Sequence, residues 1–492
     1  MVTGSLPELR VLFIAAEAAP FVKVGGLGDV AGSLPTALRK LPPEETGGVK
    51  LDVRLCIPYH SVISSTFKNN PPVAEFPISR GNEILKAQVY QTIVNGVPVY
   101  LIAGDMIPPD APVYSLDTPK DGEKYTFFST AALALSKQIN WQVDILHAND
   151  WHTALVPYIL RKLRSTDPDY ARVRSVLTIH NLPFMGGGTE KAIAAYGLPY
   201  YEDTRLPKWA RAFPLPLGLT AADHIVAVSK TYAAEILTPE FGCNLQNYLL
   251  SRAKNISGVI NGLDTDAWNP EMDTAIASSF DEKSLAKRQV NKTALLSSLS
   301  LDPDPGIPLL IMVSRIDQQK GVDLIPSVLR QVSDLPWQAI LLGNGDPNLE
   351  ISFTRLEMDF PERVRSIVRF DSALSHRMYA GGDVILMPSR YEPCGLAQMI
   401  AMRYGCLPLA RATGGLQDSI IDDPDPEKST GFLFKTASIP DFEAALRRVL
   451  KEFRDQDGWQ KRQVNAMRQD FSWTHSAIEY FHIYQSLLEP HT

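Results

Sequence analysis

Pro388-Ser389-Arg390-Tyr391-Glu392-Pro393-Cys394-Gly395-Leu396 decides the reading of this chain. The apolar run before it, Val384-Ile385-Leu386-Met387, reads as a buried strand. A helical pattern follows over 397–404. Glu392 therefore stands on a strand-to-helix turn. In an open α/β sheet such turns lie in the crevice beyond the carboxyl ends of the strands, where ligands bind. The following helix offers unpaired backbone N–H groups to an anion. Taken alone, Glu392 reads more readily as a helix cap. The other turns of the chain decide between the two.

Outward from this turn, strands alternate with helices, which predicts parallel sheets wound by crossovers. The first series has strands over 10–17, 51–58, 145–148, 173–180, 224–228 and 256–260. Hairpin material spans 83–103, and helices span 29–40 and 123–138. Residues 269–308 are polar and contain Asp302-Pro303-Asp304-Pro305-Gly306, a connecting texture. A second series has strands over 308–314, 338–343, 367–370, 384–387 and 407–410, with a helix over 322–332. The expected division is a Rossmann-like domain over 1–265, an interdomain segment over 266–305 and a second Rossmann-like domain over 306–475. A last helix over 476–492 either crosses back to the first domain or stays on its own. Residues 186–213 read as an ordered insertion or a flexible loop.

The 492 residues exceed a usual single core. Apolar content of 45% and charged content of 21% are ordinary for a globular protein. A net charge of −7 leaves no electrostatic footprint for nucleic acid, so an anionic ligand requires locally concentrated Lys and Arg. Four scattered cysteines, Cys56, Cys243, Cys394 and Cys406, form no CxxC pair, which suggests neither a disulfide framework nor zinc. No targeting signal or membrane-length apolar run is visible. The expected location is cytoplasmic, or that of a mature form whose transit peptide has been removed, with no membrane or nucleic-acid partner.

Three further turns carry chemistry. Lys23-Val24-Gly25-Gly26-Leu27-Gly28-Asp29 joins the first strand to the first helix. Its glycines let backbone N–H groups approach a ligand, and Lys23 adds a point charge. The loop is neither the dinucleotide fingerprint nor a Walker loop, which disfavours hydride transfer and ATP hydrolysis. Ser314-Arg315-Ile316-Asp317-Gln318-Gln319-Lys320-Gly321 holds the equivalent place in the second half. Two cations near a helix N-terminus oppose its dipole unless they clamp an anion such as a diphosphate. Thr413-Gly414-Gly415-Leu416 is a third Gly-rich strand end. His147-Ala148-Asn149-Asp150-Trp151-His152 and His180-Asn181 put polar groups at two more. No compact ligand set at zinc spacing accompanies these histidines, so no metal is predicted.

Together these stretches resemble bacterial glycogen synthases and plant starch synthases, retaining glucosyltransferases of the two-Rossmann-domain GT-B type that use ADP-glucose. The resemblance also includes 222–234, 261–264 and Trp268-Asn269-Pro270, and it spans nearly the whole chain in order. It implies a fold of two doubly wound parallel sheets facing a central cleft, with ADP-glucose and an α-1,4-glucan acceptor as partners and no cofactor. By resemblance, Lys23, Gly25, Gly26 and Asp29 face the diphosphate and the transferred glucose. Arg315 and Lys320 neutralise the departing ADP, and Glu392 lies by the glucosyl unit. Cys394, Gly395 and Leu396 offer backbone contacts to sugar and phosphate, with Thr413 and Gly414 beside them. Asp150, Trp151 and His180 belong to the sugar and acceptor side, with Asn261 a further sugar-site residue. Phe370 matches a position that stacks on adenine.

The chemistry fits these residue types. As glucose leaves ADP, positive charge grows on the sugar and negative charge on the diphosphate, so fixed cations and a helix dipole stabilise the departure. Retention is expected through front-face attack by the acceptor 4-hydroxyl, whose proton passes to the leaving phosphate. Three positions need comment. Pro216 stands where the family usually has Lys, and Leu182-Pro183-Phe184-Met185-Gly186 replaces a form with an aromatic residue and Gln. Both bear on acceptor preference. Ile400 stands eight positions after Glu392, as this subgroup has it, where the wider superfamily often has a second Glu. Alternative readings are a related transferase with another nucleotide sugar or acceptor, and a non-catalytic glucan-binding granule protein.

Overall fold

The computed structural model describes residues 8–489 except 64, 66, 68, 69, 109–111 and 116. The chain divides into two compact units, Met1–Gly262 with Trp473–Thr492, and Leu263–Ser472.

The first unit is a nine-stranded sheet. Its strands are β1 (Glu8–Ile14), β2 (Lys50–Pro58), β3 (Ala74–Arg80), β4 (Glu83–Val94), β5 (Val97–Gly104), β6 (Ile145–Asn149), β7 (Arg174–Ile179), β8 (His224–Ala227) and β9 (Ile256–Gly258). The order is β3-β4-β5-β2-β1-β6-β7-β8-β9. Only β4 runs against its neighbours. β1 pairs in parallel with β2 on one side and β6 on the other, so the chain reverses its direction of travel between β1 and β6. Val11, Leu12, Phe13 and Ile14 are fully buried, as both faces of a parallel sheet demand. Each such side chain stabilises the fold by about 1.5–3 kcal/mol.

The second unit has β10 (Leu309–Val313), β11 (Gln338–Gly343), β12 (Val364–Val368), β13 (Val384–Met387), β14 (Leu407–Arg411) and β15 (Phe432–Phe434). All pairings are parallel in the order β12-β11-β10-β13-β14-β15. Counted within the unit this is 3-2-1-4-5-6, the Rossmann order, with its switch point between β10 and β13.

Several sequence expectations are corrected. The segment 266–305 is part of the second unit and carries the helix Arg288–Ser298. Its polar texture misleads because two of its cations, Arg288 and Lys292, are buried in the unit. Lys292 is buried against Asp383 at 2.7 Å, and the Arg288 guanidinium donates to the Gly382 and Tyr379 carbonyls. The strand expected over 367–370 is β12, which ends at Val368, so Phe370 lies beyond it and is 85% exposed. The first helix starts at Gly26 rather than 29, drawing the paired glycines into its first turn. Residues 186–213 contain the helix Glu190–Ala195 and a 3-10 turn, Lys208–Ala212.

The final helix, Trp473–Leu488, groups with the first unit and packs against Gly26–Arg39. Ser476 donates to the Ile260 carbonyl at 2.6 Å. Tyr484 reaches His147 Nδ1 at 2.7 Å, and His147 Nε2 reaches Thr178 Oγ1 at 2.7 Å. His147, fully buried, is therefore a satisfied core residue.

Candidate active site

The second unit gathers three turns at the carboxyl edge of its sheet, following β10, β13 and β14. Glu392 is 4% exposed. Lys320 Nζ donates to its two oxygens at 2.8 and 2.6 Å, and Ser389 Oγ adds 3.1 Å. A buried carboxylate is tolerable only with such partners. Arg315 lies in the same turn but points outward, 62% exposed, on Asp317 at 2.7 Å and Gln319 at 3.2 Å. The structure thus brings Lys320 onto Glu392, while Arg315, in the same turn as Lys320, points to solvent. Neither sits on the helix N-terminus. The helix Leu324–Gln331 begins later, and Asp323 at its N-cap position relieves the expected conflict with the dipole.

Close backbone approach holds the three turns together. Gly321 has φ +62°, and a Cβ there would lie 2.0 Å from the Pro388 carbonyl oxygen. Gly414 has φ +44°, and a Cβ would lie 1.9 Å from the Glu392 carbonyl oxygen. Both positions exclude any side chain. Arg390 N–H donates to the Gln319 carbonyl at 2.8 Å. Its guanidinium forks onto Asp323 at 2.6 and 2.7 Å and reaches the Gln318 carbonyl at 2.9 Å. Gln398 Nε2 donates to the Cys394 and Gly395 carbonyls and to Ser419 Oγ, each at 3.1 Å, fixing the turn through Leu396. Thr413 is the N-cap residue of Gly414–Ser419. Phe370 stands apart from this cluster. β12 is three places from β13, about 14 Å across the strands.

In the first unit the corresponding turns follow β1, β6 and β7. Asp150 adopts φ +53°, and its Oδ1 accepts from the His180 and Asn181 N–H groups at 2.7 and 3.3 Å. Burial pushes its carboxyl up to about 7. His180 Nε2 meets Asn149 Oδ1 at 2.9 Å, and Asn149 Nδ2 donates to the Ile14 carbonyl at 3.0 Å. Burial lowers His180 to about 3, so its ring is neutral. Trp151 packs on Tyr125 and His152, and Gly186 passes so near that a Cβ would lie 2.6 Å from the indole. Asn261 is buried with its side-chain oxygen lacking a protein partner.

The Gly-rich loop departs from expectation. Lys23 is on Asp29 at 2.8 Å, so these two site residues neutralise each other. The N–H groups of Val24 and Gly25 are on the carboxylate of Glu17, the latter at 3.1 Å. Gly26 stands just inside the helix, with Gly25 at its N-cap. Sequence reasoning passed over Glu17, Asp323 and Arg390. The signal for Glu17 was an acid immediately after the first apolar run. Among the described residues, no group of three His, Cys, Asp or Glu side chains is placed to hold a metal ion.

Residues 10–251 match the model of the starch synthase catalytic domain, and residues 300–464 that of glycosyl transferases group 1. Two parallel α/β units carrying these matches define a GT-B glycosyltransferase. The chain is 36% identical to the glycogen synthase of Bacillus cereus and 37% identical to that of Syntrophotalea carbinolica, over 98% of its own length and all of theirs. Its structure is similar to the catalytic domain of starch synthase IV from Arabidopsis thaliana bound to ADP and acarbose. That match has a TM-score of 0.85 and 31% identity, and covers 98% of this chain and 99% of the other. Sucrose-phosphate synthase from Thermosynechococcus elongatus shares the fold, with a TM-score of 0.60 at 19% identity. The chain belongs to the family of glycogen and starch synthases.

Proposed function

We propose that the protein transfers glucose from ADP-glucose to the non-reducing 4-hydroxyl of an α-1,4-glucan, with retention and release of ADP. The observation that carries this is the buried Glu392 carboxylate, held by Lys320 at the switch point of the second sheet. ADP in the related starch synthase structure supports the donor, and acarbose there supports a glucan-like acceptor.

Lys320 and Arg315 are assigned to the departing diphosphate. Lys320 contributes through a charge already fixed in place, which needs no reorganisation as the phosphate leaves. Glu392 is assigned to the glucosyl unit, where its negative charge opposes the growing positive charge on the anomeric carbon. The acceptor O4 forms the new bond to that carbon on the face from which phosphate departs. The carbon–oxygen bond to phosphate breaks with its electron pair on ADP, and the O4 proton passes to the leaving phosphate oxygen. Asp150, His180 and Asn261 are assigned to sugar hydroxyls and acceptor, and Phe370 to adenine. In this reading the cations do the work of a metal ion, and no cofactor is needed. Four free thiols favour a reducing compartment, cytoplasm or plastid stroma. No described helix is long and apolar enough to cross a membrane.

Donor-swap kinetics test the reading with glycogen as acceptor. Transfer from ADP-glucose should exceed transfer from UDP-glucose by at least about tenfold, a difference of 1.4 kcal/mol in transition-state binding. Equal use of both, or preference for UDP-glucose, contradicts the donor assignment.

A further inference from the structure

Glu17 is 1% exposed and takes no part in the reaction as assigned above. Its carboxylate accepts the Val24 and Gly25 N–H groups at the entrance to the helix Gly26–Arg39, and the Tyr114 hydroxyl lies near enough to interact with it. Tyr114 comes from a different part of the chain, and its position has its own support. The buried Lys124 ammonium donates to Asp121 at 2.8 Å and to the carbonyls of Pro112 and Val113 at 2.9 and 2.8 Å. All three of its protons are thereby used. Asp121 in turn accepts from Ser115 N–H at 2.8 Å. Residues 112–115 are thus knitted to the helix Thr118–Gln138 on either side of Tyr114. A buried Lys–Asp pair is weak evidence of stability for its own sake. Here it fixes the backbone that sets the Tyr114 hydroxyl beside the Glu17 carboxylate.

We propose that Glu17 is a positioning residue for the donor reaction, templating the 23–28 loop through the Val24 and Gly25 N–H groups, with the Tyr114 hydroxyl beside it. The carboxylate occupies the place at the loop and helix entrance where an anion would otherwise bind. It therefore sets the loop's shape before substrate arrives, while Lys23 is paired with Asp29. The inference rests on the ADP-glucose reading for its kinetic arm only.

Glu17→Gln keeps the side chain's size and one acceptor oxygen but removes the charge and puts an amide N–H₂ where the second oxygen accepted. Loss of these charge-assisted bonds should raise KM for ADP-glucose about tenfold with kcat changed by less than about threefold. Tyr114→Phe should raise it about threefold through the same carboxylate. Glu17→Asp should fall between wild type and Glu17→Gln. Hydrogen exchange supplies a readout independent of turnover. The Val24 and Gly25 amides should exchange faster in Glu17→Gln and Tyr114→Phe, while the strand amides of β1 keep wild-type protection. Wild-type donor KM in both folded variants, or unchanged exchange at Val24 and Gly25, overturns the proposal. A wild-type protein inactive with ADP-glucose defeats the functional reading instead, and the exchange arm still decides the role of Glu17.

Discussion

At the scale of single residues, Glu392 and Lys320 cannot be treated separately. Removing Lys320 leaves a buried carboxylate without its counter-charge, at a cost of about 3–5 kcal/mol. Lys320→Ala should therefore lower both stability and donor use. Glu392→Ala frees an ammonium that stands partly in solvent, so its effect should fall on chemistry. We expect no detectable transfer while ADP still binds by calorimetry. Wild-type turnover in Glu392→Ala would remove that residue from the mechanism. Asp150 adds a pH signature. Its folded value of about 7 lies well above the ordinary 3.8, so the carboxylate forms only near neutrality. If the ionised form accepts sugar hydroxyls, kcat/KM, which reports the free enzyme, should rise from pH 6 to 8. That limb should be missing in Asp150→Asn, and its persistence there would assign it to another group.

At the scale of elements, what matters is how turns from separate strands are kept in register. Arg390 spends its charge on Asp323 and its N–H on Gln319, so it joins the Glu392 turn to the Lys320 turn instead of contacting an anion. Arg390→Lys and Asp323→Asn should each reduce kcat/KM, and the double variant should be little worse than either alone. Additive losses in this double-mutant cycle would show that the two act independently. Tyr484→Phe leaves His147 Nδ1 buried without a partner and should lower the unfolding free energy by about 1–3 kcal/mol in urea titration. The strands of both series were legible because parallel strands buried on both faces read as apolar runs. β3 was not, since it is a hairpin strand at the sheet edge with alternating burial and Pro77 within it. β15, at three residues, is too short to show a period. The turns Ser314–Gly321 and Pro388–Leu396 were legible because their chemistry is contiguous in sequence. The task of Glu17 was not, because Tyr114 reaches it from nearly a hundred positions away.

At the scale of the whole molecule, the first unit stores a pH response. Burial lowers His147 and His180 to about 3 and His60 to about 4. Their unfolded value is 6.5, so on acidification the unfolded chain takes up these protons first. Their contribution to stability is full above pH 6.5 and is lost as pH falls toward 4. Asp150 acts oppositely, favouring the native state as pH falls from about 7 toward 4. Three protons against one leave a net loss of stability between pH 6 and 4 from these four groups. Urea midpoints taken across that range should fall with pH, and a flat profile would contradict the burial of these rings. The central claim, however, is that fixed cations hold the nucleotide as it parts from glucose. The most direct measurement is transfer of labelled glucose from ADP-glucose to glycogen with excess EDTA, in wild type and in Lys320→Ala. Wild-type turnover should be undiminished in EDTA, and Lys320→Ala should lose at least about tenfold under the same conditions. Wild-type activity abolished by EDTA and restored by added magnesium would contradict the claim.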